Sequence, residues 1–340
     1  MSTKGGIVAA GNWIVDKTKI IDGYPTQDSL ANIELEECNN GGGPFNILCD
    51  LAKLGATFPL QGVGLIGSDA EGDWVLDHCQ AVGIDTSLLC RHPTAPTSYT
   101  DVMTVRSSGR RTFFHQPGAN RHLAAGHFDW SKMNARIFYL GYIGLLDALD
   151  ASDPEHGTLA ARVLREAGQR GFLRVVDLVS VERPDYAKVV SPALPEIDIL
   201  VCNEVEAERI TGHATRDDSD RHLESGLRDA ALALLRGGVG RWVVIHLSEG
   251  AYARSTTGEE IWQGRVNLPK DQIAGAAGAG DAFAAGLLLG VHEGWEMPQS
   301  LQMGVCTAAA SLRSASTSGG ITSASESLSL GDAWGYIAFP

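Results

Sequence analysis

The chain alternates short apolar runs with segments of helical periodicity. We predict six buried strands, at residues 6–10, 59–63, 137–142, 173–178, 197–202 and 242–247. Helical spacing of apolar residues predicts helices at residues 46–54, 73–82, 156–170, 204–210, 223–236 and 279–292. This order predicts a doubly wound α/β fold with a mostly parallel sheet flanked by helices. Ligands bind such sheets beyond the carboxyl ends of the strands.

Two segments, residues 18–38 and 97–115, interrupt this alternation. Each contains apolar and polar residues in turn, and Ser107, Ser108, Gly109 and Arg110 have the composition of a hairpin turn. Two surface hairpins would explain the pattern. We predict instead a small antiparallel β lid, which excludes water from a site. Residues 1–340 are predicted to form a single domain that includes this lid, and the Ser/Thr-rich residues 311–329 predict a loop-rich C-terminus.

The charge and the cysteines limit the class of protein. The chain has 27 basic and 41 acidic residues, a formal net charge of −14, which argues against a nucleic acid or an anionic membrane as partner. Its six cysteines are scattered without a C-x-x-C pair, as in reduced cytosolic proteins. The N-terminus lacks signal-peptide order, and residues 282–291 are too short to span a bilayer. We expect a soluble cytoplasmic protein.

Several familiar motifs are absent or misplaced. Gly62, Gly64 and Gly67 satisfy G-x-G-x-x-G after a strand-like run, with Asp85 downstream, so a dinucleotide-binding dehydrogenase is one alternative. However, residues 68–73 place three acids where the helix should begin, and they would repel a pyrophosphate. No Gly-Lys dipeptide forms a Walker loop, and no histidine spacing indicates zinc.

A small-residue turn at residues 275–280 precedes a strongly apolar helix. Gly278, Ala279 and Gly280 would expose amides at the helix N-terminus, where a phosphate or a developing anion binds. Asp281 follows in the first turn and could accept the proton of an attacking hydroxyl. The alternative is that Asp281 caps the helix and the glycines serve packing.

Two further clusters carry polar chemistry. The predicted helix at residues 46–54 begins with Asn46 and follows a run of three glycines that includes Gly42. Asp16, after the first strand, has a carboxylate that could accept hydrogen bonds from a diol. The alternatives are that the glycines only form a turn and that Asp16 only caps a helix. Asn203 and Glu206 lie three residues apart after another strand and could hold a hydrated magnesium ion. Glu206 could equally be a solvated acid of a first helical turn.

These clusters, in this order and spacing, resemble the ribokinase-like (PfkB-type) carbohydrate kinase family. Residues 41–72 resemble its N-terminal signature, residues 203–206 its N-x-x-E motif and residues 278–281 its C-terminal signature. The resemblance covers nearly the whole chain. It implies a ribokinase-like fold and ATP-dependent phosphorylation of a hydroxyl group on a sugar or sugar-like molecule.

The resemblance also implies roles for individual residues. Asp281 would be the catalytic base, and Gly278, Ala279 and Gly280 would form the anion hole. Asn203 and Glu206 would organise Mg²⁺ and the phosphates of ATP. The remaining implied substrate contacts are Asp16, Gly42, Asn46 and the lid residue His115, for which a structural surface histidine is the alternative. The implied nucleotide contacts are Ser248 and Gly250, with Gly278 and Gly280. A homodimer joined through the lid is also implied.

The chain departs from the family pattern at two places. Gly275, Ala276 and Ala277 replace the usual Asp-Thr-Thr, whose Asp helps to hold an activating potassium ion, so a monovalent-cation site is in doubt. Residues 245–250 keep only Gly250 of the usual nucleotide-strand motif. Two alternatives stay open: a nucleoside kinase using Phe45, Tyr99 or Phe114 against a base, and a non-catalytic sugar or nucleotide sensor.

Overall fold

The computed structural model describes residues 5–339, so residues 1–4 and Pro340 of the predicted domain lie outside it. The strands are β1 (Gly6–Gly11), β2 (Ile14–Ile21), β3 (Ile33–Gly41), β4 (Leu60–Ile66), β5 (Asp85–Arg91), β6 (Ser98–Val105), β7 (Arg111–Gln116), β8 (Ala135–Ile143), β9 (Ser152–Asp153), β10 (Gly157–Thr158), β11 (Leu173–Leu178), β12 (Ile199–Asn203), β13 (Trp242–Leu247), β14 (Gly250–Ser255) and β15 (Glu260–Gly264). The α-helices are α1 (Gly43–Leu54), α2 (Ala70–Ala81), α3 (Asp147–Asp150), α4 (Leu159–Gln169), α5 (Tyr186–Val190), α6 (Glu204–Thr211), α7 (Glu224–Arg236), α8 (Ala279–Glu293), α9 (Met297–Ser311) and α10 (Ala324–Trp334).

The main sheet contains nine strands in the order β15-β14-β13-β12-β11-β8-β1-β4-β5. The pairs from β5 to β13 are parallel, and β14 and β15 add an antiparallel edge. The prediction of a mostly parallel α/β sheet is therefore confirmed, and all six predicted strands form. The pattern did not predict β5, whose side chains are exposed or half-buried at most positions.

Helices cover both faces of this sheet. Helices α1, α8 and α9 bury apolar side chains against one face, and α4, α6 and α7 do so against the other. Two glycines allow α8 to approach α9 closely: a Cβ on Gly286 would lie 2.5 Å from Thr307 Oγ1, and one on Gly290 would lie 2.5 Å from Ser300 Oγ. Because α8 is enclosed in this way, its N-terminus is held in a fixed position above the sheet.

A second sheet projects from the body in the order β3-β2-β6-β7 and contains the predicted lid segments. The hairpins β2–β3 and β6–β7 are antiparallel, and a parallel pairing of β2 with β6 joins them. The predicted turn between β6 and β7 is present, and Gly109 adopts a left-handed φ of 65° within it. We call this small sheet the lid.

Two regions differ from their predicted structure. The prediction of a loop-rich C-terminus is wrong from residue 324 onward, where α10 forms. Ser323 and Glu326 make a capping box at its start, and Leu328 and Leu330 pack against the core. The G-x-G-x-x-G glycines lie in and just after β4, where Gly62 and Gly64 leave room for the Trp13 ring and form no phosphate loop.

No helix within residues 5–339 is both long enough and apolar enough to cross a membrane.

Candidate active site

The polar residues of the site gather at one edge of the main sheet. Most of them lie at or just after the carboxyl ends of the strands β1, β8, β11, β12 and β13. A ligand site in a parallel sheet is expected at this edge. The N-termini of α1 and α8 meet at this edge, and the lid lies beside it.

Asp281 lies at the centre of this arrangement, in the first turn of α8. Its side chain is buried, and both carboxylate oxygens accept hydrogen bonds: Oδ1 from the Tyr142 hydroxyl at 2.6 Å and Oδ2 from Asn46 Nδ2 at 2.8 Å. Burial raises the pKa of Asp281, while the two hydrogen bonds act to lower it. The carboxylate is therefore held in one orientation and made more basic than an exposed aspartate.

The turn before Asp281 exposes backbone amides. Gly278 caps α8 with φ 72°, and the Ala282 amide already donates to the Gly278 carbonyl at 2.8 Å. The preceding amides, of Ala279, Gly280 and Asp281, have no acceptor within the helix. Gly278 to Gly280 are all partly exposed, so the turn is open to a ligand. A Cβ on Gly278 would lie 2.7 Å from the Thr317 carbonyl oxygen, which explains why the turn needs glycine.

The start of α1 supports the carboxylate from a second side. Asn40 Nδ2 donates to Asn46 Oδ1 at 2.7 Å and to Ser318 Oγ at 2.8 Å. Because Asn46 Oδ1 accepts this bond, its Nδ2 is directed at Asp281. The structure thus places Asn46, a predicted substrate contact, against the catalytic candidate. Sequence analysis did not identify Asn40 or Ser318, since neither belongs to a recognisable motif.

Tyr142 is a further site residue that the sequence did not reveal. It lies near the carboxyl end of β8 and adopts a φ of 70°, a conformation that costs a bulky residue roughly 1–2 kcal/mol. Burial raises the pKa of Tyr142 far above its ordinary value, so the hydroxyl stays protonated and donates to Asp281. A polar group at the end of a buried strand was the available signal.

Asp16 faces the same site from the lid strand β2. Burial raises the pKa of Asp16 to about 7, a hydrogen bond from Thr100 lowers it, and the nearby charge of Asp281 raises it. A Cβ on Gly41 would lie 2.5 Å from the Asp16 carboxylate, so this glycine makes room for it. Gly42, a predicted substrate contact, has φ 82° and lies against the Asn12 backbone.

Asn203 and Glu206 form a capping box at the start of α6. The Asn203 backbone amide donates to Glu206 Oε2 at 2.9 Å, and the Asn203 side-chain Nδ2 donates to Glu206 Oε1 at 2.8 Å. Ser180 Oγ also donates to Glu206 Oε1, at 2.9 Å. Burial raises the pKa of Glu206 to about 7. Glu206 is 2% exposed, so the alternative of a solvated acid is wrong.

The predicted nucleotide residues after β13 lie at a tight turn. Ser248 Oγ donates to Glu249 at 2.7 Å, and Arg216 pairs with the same carboxylate at 2.9 Å. Gly250 is buried at the start of β14, with φ 152° and the Gln263 carbonyl against it. The sequence did not reveal His246, whose ring lies close to the α8 turn: its Cε1 would be 3.1 Å from a Cβ on Gly280. Burial lowers the pKa of His246 to about 4.

The aromatic residues considered for a nucleoside base do not line the site. Phe45 is fully buried and packs against Trp13, with ring centroids 5.1 Å apart. Tyr99 and Phe114 lie on the opposite face of the lid from Asp16, because they occupy positions one residue away in the strand register. The assignment of these three residues to a base-binding slab is therefore wrong.

Known proteins share this fold and resemble this sequence at low identity. Ribokinase from Arabidopsis thaliana, whose structure was solved with ribose and ATP, superposes with a TM-score of 0.78 over 96% of this chain and 99% of its own, at 22% identity. The 5-dehydro-2-deoxygluconokinase of Clostridium perfringens is 24% identical over 302 residues, 85% of this chain and 83% of the relative. The 2-dehydro-3-deoxygluconokinase of Bacillus subtilis is 23% identical over 269 residues, 77% of each chain.

The fold and the paired helix N-termini define a ribokinase-like phosphotransferase architecture. The model of the pfkB family carbohydrate kinases matches residues 11–324. The chain therefore belongs to the pfkB family of carbohydrate kinases, and the family predicted from its motifs is confirmed.

Proposed function

We propose that the protein transfers the γ-phosphoryl group of ATP to a hydroxyl group of a sugar or sugar-like molecule, with Asp281 as the base. The observation that carries this proposal is the position of Asp281. Its carboxylate is buried and held by Tyr142 and Asn46, and it lies directly after a turn of unpaired backbone amides. A base and an anion site therefore adjoin each other, as phosphoryl transfer to a hydroxyl requires.

In this mechanism the two parts of the α8 N-terminus act together. The acceptor hydroxyl lies against Asp281, which takes its proton as the oxygen attacks the γ-phosphorus. The amides of residues 279–281 and the helix dipole stabilise the negative charge of the transferring group. Asp16 holds another substrate hydroxyl, so the acceptor is oriented for attack.

A magnesium ion would bind mainly to the phosphates of ATP. Within residues 5–339 no group of three or more His, Cys, Asp and Glu side chains could hold a metal alone. Asn203 is partly exposed and would contact a hydrated ion that shares its ligands with phosphates, the usual arrangement for Mg²⁺. Glu206 is buried and both its oxygens accept hydrogen bonds, so it would act by orienting Asn203. Such an ion would neutralise charge on the phosphates. Gly275, Ala276 and Ala277 offer no side-chain ligand for a monovalent cation.

The lid, the assembly and the location complete the proposal. The lid strands place Asp16 over the site and would exclude water once substrate is bound. We propose a homodimer joined through the lid and a cytoplasmic location, since the acidic chain and its scattered free cysteines suit a reducing compartment.

A substrate panel tests this proposal. ADP formation is measured with sugars, sugar acids, sugar phosphates and nucleosides, in the presence of magnesium and with or without potassium. We expect ATP-dependent turnover of at least one carbohydrate and little effect of potassium. Turnover of nucleosides alone would indicate a nucleoside kinase. Binding of sugar and ATP without transfer would indicate a sensor, and thermal stabilisation by NAD but not by ATP would indicate a dehydrogenase.

A further inference from the structure

The lid presents one face to the α/β body, which we call the cleft face. Paired residues of neighbouring strands point to the same side of a sheet, and side chains alternate along each strand. The register of β3, β2, β6 and β7 therefore places a set of polar side chains on the face that carries Asp16, and six of them matter here. These residues are Asp16, Asn39, Thr100, Thr104, Arg111 and His115.

Several of these groups are buried without a partner. Within the described chain, Asn39 Nδ2, Thr104 Oγ1 and His115 Nε2 are buried and form no hydrogen bond. An unsatisfied buried polar atom costs about 1–3 kcal/mol, so in native proteins such atoms are usually met by a ligand or by water. His115 uses only its Nδ1, which lies 3.0 Å from Thr100 Oγ1. The cleft face thus has unused capacity to bind hydroxyl groups.

Arg111 supplies a positive charge without an ion pair at the end of this face. Its guanidinium is half-buried and lies 5.8 Å from the centroid of the Phe113 ring, on the same side of β7. Burial lowers the pKa of Arg111, and the charge of Asp16 acts in the opposite direction. No acid among residues 5–339 forms an ion pair with it. A partly desolvated arginine without a direct ion pair is uncommon, because such charges are normally paired.

We propose that Arg111 binds an anionic group of the substrate, a carboxylate or a phosphate, while Asp16 binds the hydroxyls at its other end. This inference rests on the proposed kinase function. Asp16 and Arg111 lie two strands apart, which is about 10 Å across the sheet. Arg111 also lies four residues further along the strand direction, which adds roughly 13 Å. The long arginine side chain closes part of this span, which leaves room for a sugar between the two charges.

The surrounding charges favour this assignment. The fork of a guanidinium matches carboxylate and phosphate oxygens in pairs. Glu37 also lies on the cleft face, but on β3, three strands from β7. The chain as a whole carries a net charge of −14 and would repel an anionic substrate, so a local cation is needed to bind one.

The experiment compares substrates in charged and neutral pairs. The probes are 2-dehydro-3-deoxygluconate, 5-dehydro-2-deoxygluconate and gluconate against glucitol for the carboxylate, and fructose 6-phosphate against fructose for the phosphate. kcat/KM is measured for the wild type, for Arg111→Met, which keeps an apolar stem, and for Arg110→Met, a control in the neighbouring exposed turn. Melting curves and binding of a non-hydrolysable ATP analogue verify that each variant is folded.

We expect kcat/KM of the wild type to be 10-fold or more higher for the charged member of at least one pair. This is on the order of the effect of one hydrogen bond to a charged group. Arg111→Met should lose roughly 10- to 100-fold on that substrate, with the neutral partner and Arg110→Met little changed. Neutral sugars used as well as anionic ones, or an equal loss on both in Arg111→Met, would overturn the inference and leave the kinase function intact. A folded wild type that uses no member of the panel would overturn both.

Discussion

At the scale of single residues, the strained tyrosine beside the base is the least expected feature of the site. Tyr142 adopts φ 70°, although it is neither glycine nor asparagine, and its hydroxyl lies 2.6 Å from Asp281 Oδ1. Backbone strain of this kind persists where the surrounding structure maintains it, often at functional sites. We interpret Tyr142 as a positioning residue that sets both the orientation and the basicity of Asp281.

Tyr142→Phe tests this interpretation. The substitution removes a hydrogen bond to the charged carboxylate, so the pKa of Asp281 should rise, by about one unit. The acidic limb of the pH profile of kcat/KM should therefore move to higher pH by a similar amount. Tyr336→Phe is a matched control, since its hydroxyl contacts Gln302 and Cys306 away from the site. An unchanged limb in Tyr142→Phe would show that Tyr142 serves packing alone.

Asp16 makes a second prediction at this scale. Burial raises the pKa of Asp16 to about 7, above the ordinary value of 3.8. The folded state therefore binds more protons than the unfolded state between these values, and the contribution of Asp16 to stability falls as the pH rises from 4 to 7. Asp16→Asn should melt at a higher temperature than the wild type at pH 8 but not at pH 4, while losing sugar binding.

The exposed Asp77→Asn serves as the control and should leave the difference between the two pH values unchanged. If Asp16→Asn melts below the wild type at pH 8, the carboxylate is stabilised in the folded state and its assignment as a buried substrate anchor is wrong.

At the scale of elements, helix α8 combines a rigid body with an open N-terminus. Its apolar residues are buried on all sides, while the turn at residues 278–280 stays partly exposed. The two ends of the helix have glycines of similar conformation, Gly278 with φ 72° and Gly294 with φ 78°. They differ in surroundings, because a Cβ on Gly278 would meet the Thr317 carbonyl and one on Gly294 would meet only the end of the Arg136 side chain at 3.9 Å.

These glycines allow a comparison within one helix. Gly294→Ala should destabilise the fold by about 1–2 kcal/mol, because it forces alanine into a left-handed conformation. Gly278→Ala should cost more, because its Cβ would also lie 2.7 Å from the Thr317 carbonyl oxygen. Only Gly278→Ala should also lower kcat, by 10-fold or more, since it displaces the amides of the anion site. Thermal melting and steady-state kinetics measure the two effects. Equal activity in the two variants would contradict the role of the turn as an anion hole.

The elements also show what the sequence could predict. The main strands and helices followed from periodicity, because each buries a regular apolar face, and the four residues ending at Asp281 identified the turn of α8. Tyr142, Asn40 and Ser318 could not be found in this way. Tyr142 contacts Asp281 across 139 positions of the chain, and Ser318 joins the site through Asn40, 278 positions away. Helix α10 was missed because its polar surface hides its few buried contacts.

At the scale of the whole molecule, the lid leaves apolar side chains exposed. Leu30 is 83% exposed, and Ile33, Leu35 and Phe114 are each about half exposed. Exposed apolar groups that cluster on one part of a protein commonly mark an interface. This distribution accords with the proposed homodimer through the lid.

Sedimentation velocity tests the dimer. The wild type should sediment as a dimer at micromolar concentration, and Leu30→Asp combined with Ile33→Asp should shift it to a monomer, because two buried charges would be unpaired at the interface. Trp334→Asp, at an exposed aromatic of α10, should leave the dimer intact. A monomeric wild type, or a double variant that remains dimeric, would contradict the assignment of the lid as the interface.

The most direct test of the whole account is the rate of phosphoryl transfer by Asp281→Asn, measured with the best substrate of the panel under single-turnover conditions. Asparagine keeps the size of the side chain but cannot accept the hydroxyl proton. We predict a rate about 10²–10⁴-fold below that of the wild type, with the fold and the affinity for an ATP analogue retained. A folded variant that transfers phosphate at a near-normal rate would contradict the assignment of Asp281 as the base.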